Sequence, residues 1–509
     1  PTDFYLMNYT ATIGSNFTNE IRGAFNRSKP FFNQADSFPT NFLIGALPLG
    51  LSTPEPSFQK QGRDTAQYTF QDNASYTLGD HSLRFGLDFN AQRIASQTNF
   101  NAVPIYNIST TANTLTPRLT ATLFPGGIGA TDRNQADALR YLLGGIVGSG
   151  TVAANFTGPG TGAVIGAPSL QKFQYETIGL YFADQWRATS ELTLNLGLRW
   201  DYFTPLRNKD QVYLEPDLQG AETIEEIRSV LTNPVGNYVL LGANAGKPGA
   251  FFKPDRNNFG PNVSFAYSPR REGFIGNLLG REGETVIRGG FRIGYINDEY
   301  VRSADNAAAG NAGLNFTLRA NNAANINARF NALPGFPAPP AINIPVTFAQ
   351  GNVNAGNFFN TIFSVDPNIQ TQQNMEYNFG IQRDIGFDTV VEVRYVGGRS
   401  NSLVRGYDFN QVNVRAGGFL QDFLTARNNC RILQASLNQP LANCANATGT
   451  QGLPGQSTNM PVFASLPGGG LLTNTAVTGP IAQGDVADLA ILYITNGLDG
   501  NVPFLPNTN

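Results

Sequence analysis

LTLNLGLRWDYF, Leu192–Phe203, alternates without a break. Leu192, Leu194, Leu196, Leu198, Trp200 and Tyr202 fall on one parity; Thr193, Asn195, Gly197, Arg199 and Asp201 fall on the other. Successive side chains of a strand point to opposite faces, so the segment is a ribbon with one apolar and one polar side. The apolar side ends in aromatics. At roughly 3.3 Å per residue the segment reaches about 40 Å, or about 28 Å when tilted near 45°. That is the thickness of the hydrocarbon layer of a bilayer.

The alternation recurs in pairs. Segments 3–13 and 17–27 join at Gly14-Ser15-Asn16, and 66–77 joins 82–94 through Leu78-Gly79-Asp80-His81. Segments 173–187 and 191–204 join at Ala188-Thr189-Ser190, and 373–384 joins 387–397 at Ile385-Gly386. A fifth pair, 258–268 and 284–297, has a longer connection rich in Gly and Arg. Tight joints of this kind are hairpin signals. Between pairs lie long connections at about 28–65, 95–172, 205–257 and 298–372. Such loops are uncommon inside a compact soluble domain. Short periplasmic turns alternating with long outer loops are the rhythm of an outer-membrane barrel.

The expected fold class is therefore all-β: a partial antiparallel transmembrane β-barrel of about ten strands in five hairpins, with long extracellular loops containing short helices. The barrel occupies residues 1–400, with strand pairs near 3–27, 66–94, 173–204, 258–297 and 373–397. Beyond about 400 the alternation fades, and 401–509 reads as a large extracellular loop region. Helices are expected at 133–143 with Asp132 as cap, at 418–428 with Phe419, Phe423 and Leu424 at helical spacing, and at 485–494.

Composition agrees. Gly, Asn, Thr and Phe are abundant, and charged residues make up 14%. No apolar run is long enough for a membrane-spanning helix. A net charge of −3 gives no reason to expect a nucleic-acid partner. His81 is the only histidine, which nearly excludes histidine metal clusters and catalytic triads. No nucleophile stands with a base, so neither an enzyme nor a cofactor is expected. Cys430 and Cys444 are either a disulfide stapling a surface loop in an oxidising compartment or two free thiols. The chain opens at Pro1, almost directly in a strand-like segment, and closes on NVPFLPNTN, which is no strand. An open barrel edge in lipid leaves backbone groups unpaired, so an internal piece of a longer protein is expected, unable to fold alone.

The polarity assigns faces. In 82–92, Leu83, Phe85, Leu87, Phe89 and Ala91 oppose Arg84, Gly86, Asp88, Asn90 and Gln92. Segments 285–295 and 389–396 behave alike. An Arg on the lipid face near mid-bilayer costs about 2–4 kcal/mol. Arg84, Asp88, Arg199, Asp201, Arg288, Arg292, Glu392 and Arg394 are therefore expected to face the lumen. They form a substrate path or plug dock, or simply pair across neighbouring strands. Trp186, Trp200, Tyr202, Tyr267, Tyr295 and Tyr395 read as girdle residues at the membrane interface rather than as ligand contacts. Trp186 belongs to the periplasmic rim and Tyr202 to the outer rim. Gly158-Pro159-Gly160-Thr161-Gly162 lacks the Lys and context of a phosphate loop and reads as a flexible outer loop. His81 reads as a solvated turn residue, and Asp184 as an isolated acid.

The passage GLYFADQWRATSELTLNLGLRWDYFTP, residues 179–205, resembles the barrel of TonB-dependent outer-membrane receptors, as does DHSLRFGLDF, residues 80–89. YVGGRSNSLVRGYDFNQVN, residues 395–413, followed by GFLQDFLTARNN, resembles the Oar-like subgroup. The resemblance implies a receptor in the cell outer membrane of a Gram-negative bacterium, surrounded by outer-membrane lipid and driven by the TonB–ExbB–ExbD complex through a plug domain. It also implies an unknown ligand caught by outer loops. No plug, TonB box or terminal aromatic strand is found in these residues. A passive porin-like channel and a secreted or surface all-β adhesion or structural protein are the alternatives.

Overall fold

The computed structural model describes all residues except 1, 33–40, 46, 54–58, 100, 111–114, 234, 270–282, 297–310, 312, 321–325, 327, 356–360, 410–411, 439–443, 445–451, 497 and 499–509. Two units are present, Pro1–Val404 and Arg405–Asn509.

The first unit is built on a wall of ten strands: β1 (Thr2–Ile13), β2 (Phe17–Ser28), β3 (Gln61–Leu78), β4 (His81–Thr98), β5 (Ser169–Arg187), β6 (Leu192–Phe203), β7 (Phe259–Tyr267), β8 (Thr285–Ile296), β9 (Gln372–Asp384) and β10 (Val390–Asn401). They pair in chain order, every neighbour antiparallel. Sequential hairpins put all the short connections at one end and the long ones at the other. Among the described residues β1 and β10 do not pair, so the ladder is open.

The register preserves the alternation. Phe85, Phe182 and Leu198 share one row, and Leu87, Leu180 and Trp200 another. Directly opposed residues of an antiparallel pair share a face, so the apolar row of β6 extends along the wall. Among the described residues the wall encloses no apolar core of its own: Phe182 and Leu198 are each 51% exposed and Val393 70%. A predominantly apolar exposed face on a strand wall is a lipid surface.

β3, β4 and β5 run to 18, 18 and 19 residues, beginning or ending beyond the expected limits at 66, 94 and 173. At roughly 3.3 Å per residue and 45° tilt they climb about 42 Å, well past an apolar band of about 25 Å. The apolar row stops where Asp64, Arg93 and Lys172 take its parity, but backbone pairing needs no apolar side chains and continues. β10 starts at Val390, later than 387, because residues 385–389 form a wide turn with Gly386 at φ +79°. Most of the connection between β7 and β8 lies outside the described residues.

The long connections hold short helices, as expected, and small sheets besides. Leu43–Ile44, Ile105–Ile108, Ile146–Phe156, Ala163–Ile165, Asn315–Arg319 and Ala328–Arg329 form one small sheet. Leu214–Pro216, Asn237–Leu240 and Val346–Thr347 form another. Ile146, Val147, Val152 and Ala154 are fully buried, so the central strand is covered on both faces. A strand buried on both faces shows no alternation, which hid it in the sequence. The helix expected at 133–143 runs Ala130–Leu143; its cap position is Gly129, and Asp132 sits in the first turn without capping it.

The segment 401–509, expected as an outer loop region with short helices, holds a compact unit from Arg405 onward. Helices Phe419–Leu437, Pro461–Ser465, Thr475–Gln483 and Val486–Thr495 enclose their own core. Phe419, Phe463 and Tyr493 meet edge to face at 5.6–6.3 Å. The buried Asp422 carboxylate accepts the Phe463 N–H at 3.0 Å, tying two helices together. The first helix continues past 428 to Leu437. Cys430 and Cys444 are bonded, with Cα atoms 5.4 Å apart, and both are buried in this core.

Candidate functional site: the polar face of the wall

On the face opposite the lipid surface, β4, β5 and β6 present two adjacent rows, Asp88–Gly179–Asp201 and Gly86–Tyr181–Arg199. The Arg199 guanidinium lies across Gly179 and joins the two carboxylates that flank it. Its Nη1 donates to Asp88 at 2.8 Å, and its Nε donates to both oxygens of Asp201 at 2.8 and 3.0 Å. A Cβ on Gly179 would stand 2.2 Å from Arg199 Nη2. The Tyr181 ring likewise lies over Gly86, and its hydroxyl donates to Asn73 at 2.6 Å. Glycine is needed at both positions for space, so the long side chains can lie flat on the sheet.

Further along the wall, Arg292 and Glu376 oppose each other on β8 and β9 and pair at 2.6 Å, with Asn374 donating to the other Glu376 oxygen at 3.1 Å. On β10, Arg394 pairs with Glu392 two residues away at 2.6 Å. Arg288 lies beside that pair in a shallow recess of about 350 Å³, and a second recess of about 510 Å³ is lined by Arg199, Asn262, Arg292 and Glu376 among others. Arg84 shares this face, opposite Ser75 and Ala183. Arg84 and Arg288 have no ion-pair partner among the described residues. The structure thus puts all eight charged candidates on one face and links six of them in ion pairs with each other or, for Arg292, with Glu376. Glu376 was not singled out in the sequence, although its parity with Asn374 and Asn378 marks it.

The aromatic candidates take the other parity. Trp200 and Tyr202 stack at 6.0 Å at the long-loop end, where Trp200 donates its N–H to the Arg256 carbonyl and Arg256 covers Tyr202. Tyr295 stands at the same end and accepts from Gln373. Tyr395 packs with Tyr377 at 6.1 Å. Tyr267 and Trp186 are at the short-turn end, in register with Leu192 and His81.

At the long-loop end the polar face becomes apolar and is covered. Phe173 packs with Leu206, Tyr213, Leu241, Phe251 and Phe252 from the long connection after β6, joined by Ile94 and Tyr175 of the wall. Nearby, the buried Glu215 carboxylate accepts the N–H groups of Gly242 and Asn244 at 3.0 and 2.9 Å, and burial pushes its pKa up to about 7. The segment 158–162 is a closed turn, with the Thr161 hydroxyl donating to the Gly158 carbonyl at 2.8 Å. Arg27–Asp64, Arg93–Glu176 and Lys172–Asp210 ion pairs ring the lipid-face parity just above the apolar band.

Two polar pairs on the lipid-face parity are not legible in the sequence. Asn19 donates to Asp72 at 2.6 Å, and His81 Nδ1 meets Asp184 at 2.7 Å. His81 is therefore not simply a solvated turn residue, and Asp184 is not isolated. They are 103 residues apart, and only the β4–β5 register brings them together.

A family model described as an outer membrane beta barrel domain matches residues 1–459. The chain belongs to that family. Outer-membrane β-barrel domains place their apolar face in lipid, and this one accordingly belongs to the outer membrane. No curated protein matches the chain. Its barrel is similar to the outer membrane transporter YddB from Escherichia coli at 10% identity, covering 78% of this chain and 34% of that one, with a TM-score of 0.37. The copper transporter OprC matches at 12% identity over 75% of this chain and 36% of that one, TM-score 0.31. The Ferric-Catecholate import receptor Fiu from K12 E. coli matches at 11% identity over 78% and 40%, TM-score 0.28. The chain spans little more than a third of the length of these structures.

Proposed function

We propose that this outer-membrane β-barrel domain is the barrel portion of a TonB-dependent receptor of the Oar-like subgroup, with no enzymatic role. Its folded outer connections catch a ligand, and the polar face lines the lumen through which the ligand passes when TonB acts on a plug. The observation that supports this reading best is the covered long-loop end: Phe173, Tyr175 and Ile94 are packed under the 206–252 segment. Outer connections folded onto the polar face at its long-loop end are placed to meet a ligand before it enters the lumen. The paired Arg and acidic residues below it keep the lumen face hydrated, which suits a plug or water.

Planar-bilayer conductance in potassium chloride tests the reading on the intact receptor. A plugged receptor is nearly silent, whereas a steady open conductance identifies a porin-like channel. Uptake of ferric siderophores and cobalamin by cells with and without TonB tests the energy source. Uptake indifferent to TonB and to the proton gradient overturns energised transport.

A further inference from the structure

His81, Asp184 and Trp186 form a small cluster on the lipid-face parity, at the short-turn end of β4 and β5. The His81 ring lies parallel to the Trp186 indole, 9° between planes and 5.4 Å between centroids. Its Nδ1 is held by Asp184 at 2.7 Å. The carboxylate accepts, so Nδ1 carries the proton and Nε2 is left on the exposed edge of the ring. The imidazole is 40% exposed, the Asp184 side chain only 16%. Immediately toward mid-bilayer the row is Leu83–Asp184–Leu196, and above it Phe85–Phe182–Leu198. An acid amid leucines on a lipid face is costly unless it is kept for a purpose. Here it fixes the ring at headgroup level, directly over an acyl-chain surface, with Nε2 facing outward as a donor whenever that nitrogen also carries a proton.

We propose that this cluster is a binding site for one glycerophospholipid of the inner leaflet. The phosphodiester accepts from Nε2 when that nitrogen is protonated, Asp184 holds the ring in orientation through Nδ1, and Trp186 packs at the glycerol level. The acyl chains lie over Leu83, Phe85, Leu196 and Leu198. The inner-leaflet assignment rests on the reading above, in which short turns face the periplasm; the site itself does not depend on transport.

Native mass spectrometry of the delipidated intact protein in detergent tests it, with phosphatidylethanolamine, phosphatidylglycerol, diacylglycerol and inorganic phosphate as separate probes. The wild type is expected to retain a single phospholipid of either headgroup, and neither diacylglycerol nor free phosphate. His81→Phe keeps the stack on Trp186 and removes the donor; Asp184→Asn keeps the ring and removes the carboxylate that orients it. Each is expected to weaken phospholipid retention about tenfold, the worth of a hydrogen bond to a charged group. Retention unchanged in both variants, or diacylglycerol held as well as phospholipid, overturns the proposal. Heat-modifiable gel migration verifies that each variant is folded, and either variant alone suffices. No step needs TonB, so failure here leaves the transport reading standing, and the reverse.

Discussion

Arg199 shows how a single residue depends on its neighbours' lack of side chains. Its guanidinium reaches Asp88, two strands away, only because Gly179 between them is flat. Gly179→Val is expected to lift the guanidinium off both carboxylates and to destabilise the wall by about 1–3 kcal/mol, the usual cost of overpacking. The midpoint of urea unfolding followed by heat-modifiable migration checks this, with Gly79→Asn in a turn as a control of small effect. Glu215 makes a second prediction at this scale. Burial raises its pKa from 4.5 to about 7, so the folded state holds a proton that the unfolded state releases. Stability from this group is present below about pH 4.5 and is lost as pH rises toward 7, by roughly 3 kcal/mol in all. Glu215→Gln is expected to flatten that slope, read as protection of the 240–250 segment from hydrogen exchange between pH 5 and 8.

At the scale of the element, β6 is the part most legible in the sequence. Its limits, Leu192–Phe203, and its two faces are as the alternation predicts. A charge moved from one parity to the other should therefore have opposite consequences. Leu198→Arg, in the row Phe85–Phe182–Leu198, is expected to cost about 2–4 kcal/mol, while Asn195→Arg on the polar face is expected to cost under about 1 kcal/mol. Refolding yields into detergent compare the two directly. β3, β4 and β5 were legible only across their apolar rows, because their outer thirds are held by backbone pairing and by Arg27–Asp64 and Arg93–Glu176 ion pairs. Ile146–Phe156 was not legible at all, since full burial removes the period that reveals a strand. The helix at 419 was found but cut short, its apolar spacing fading before its hydrogen bonding does.

At the scale of the whole molecule, residues 405–509 have a closed core of their own, including Phe419, Phe423, Phe463, Ile481, Leu489 and Tyr493. Expressed alone in an oxidising compartment, this unit is expected to give helical circular dichroism and a cooperative thermal transition. The Cys430–Cys444 bond closes 14 residues of sequence separation, worth about 3 kcal/mol by loop entropy. The reduced or Cys444→Ala form should accordingly melt lower. The wall has the reverse character. Its apolar face is finished by lipid, so transfer from detergent to water is expected to aggregate residues 1–404 while leaving 405–509 soluble.

By itself the sequence determined the wall: ten alternating segments, their hairpin pairing, and which parity meets lipid. Those properties are local, since a strand's faces follow from every second residue and its partner from the next short turn. The tertiary structure alone decided what the wall carries. The Arg199 bridge, the Phe173 cover and the His81–Asp184 pair each depend on registers and contacts between residues that neither period nor spacing relates. The same holds for the folded outer connections and the helical unit, whose buried segments lose the alternation that marks a half-exposed strand.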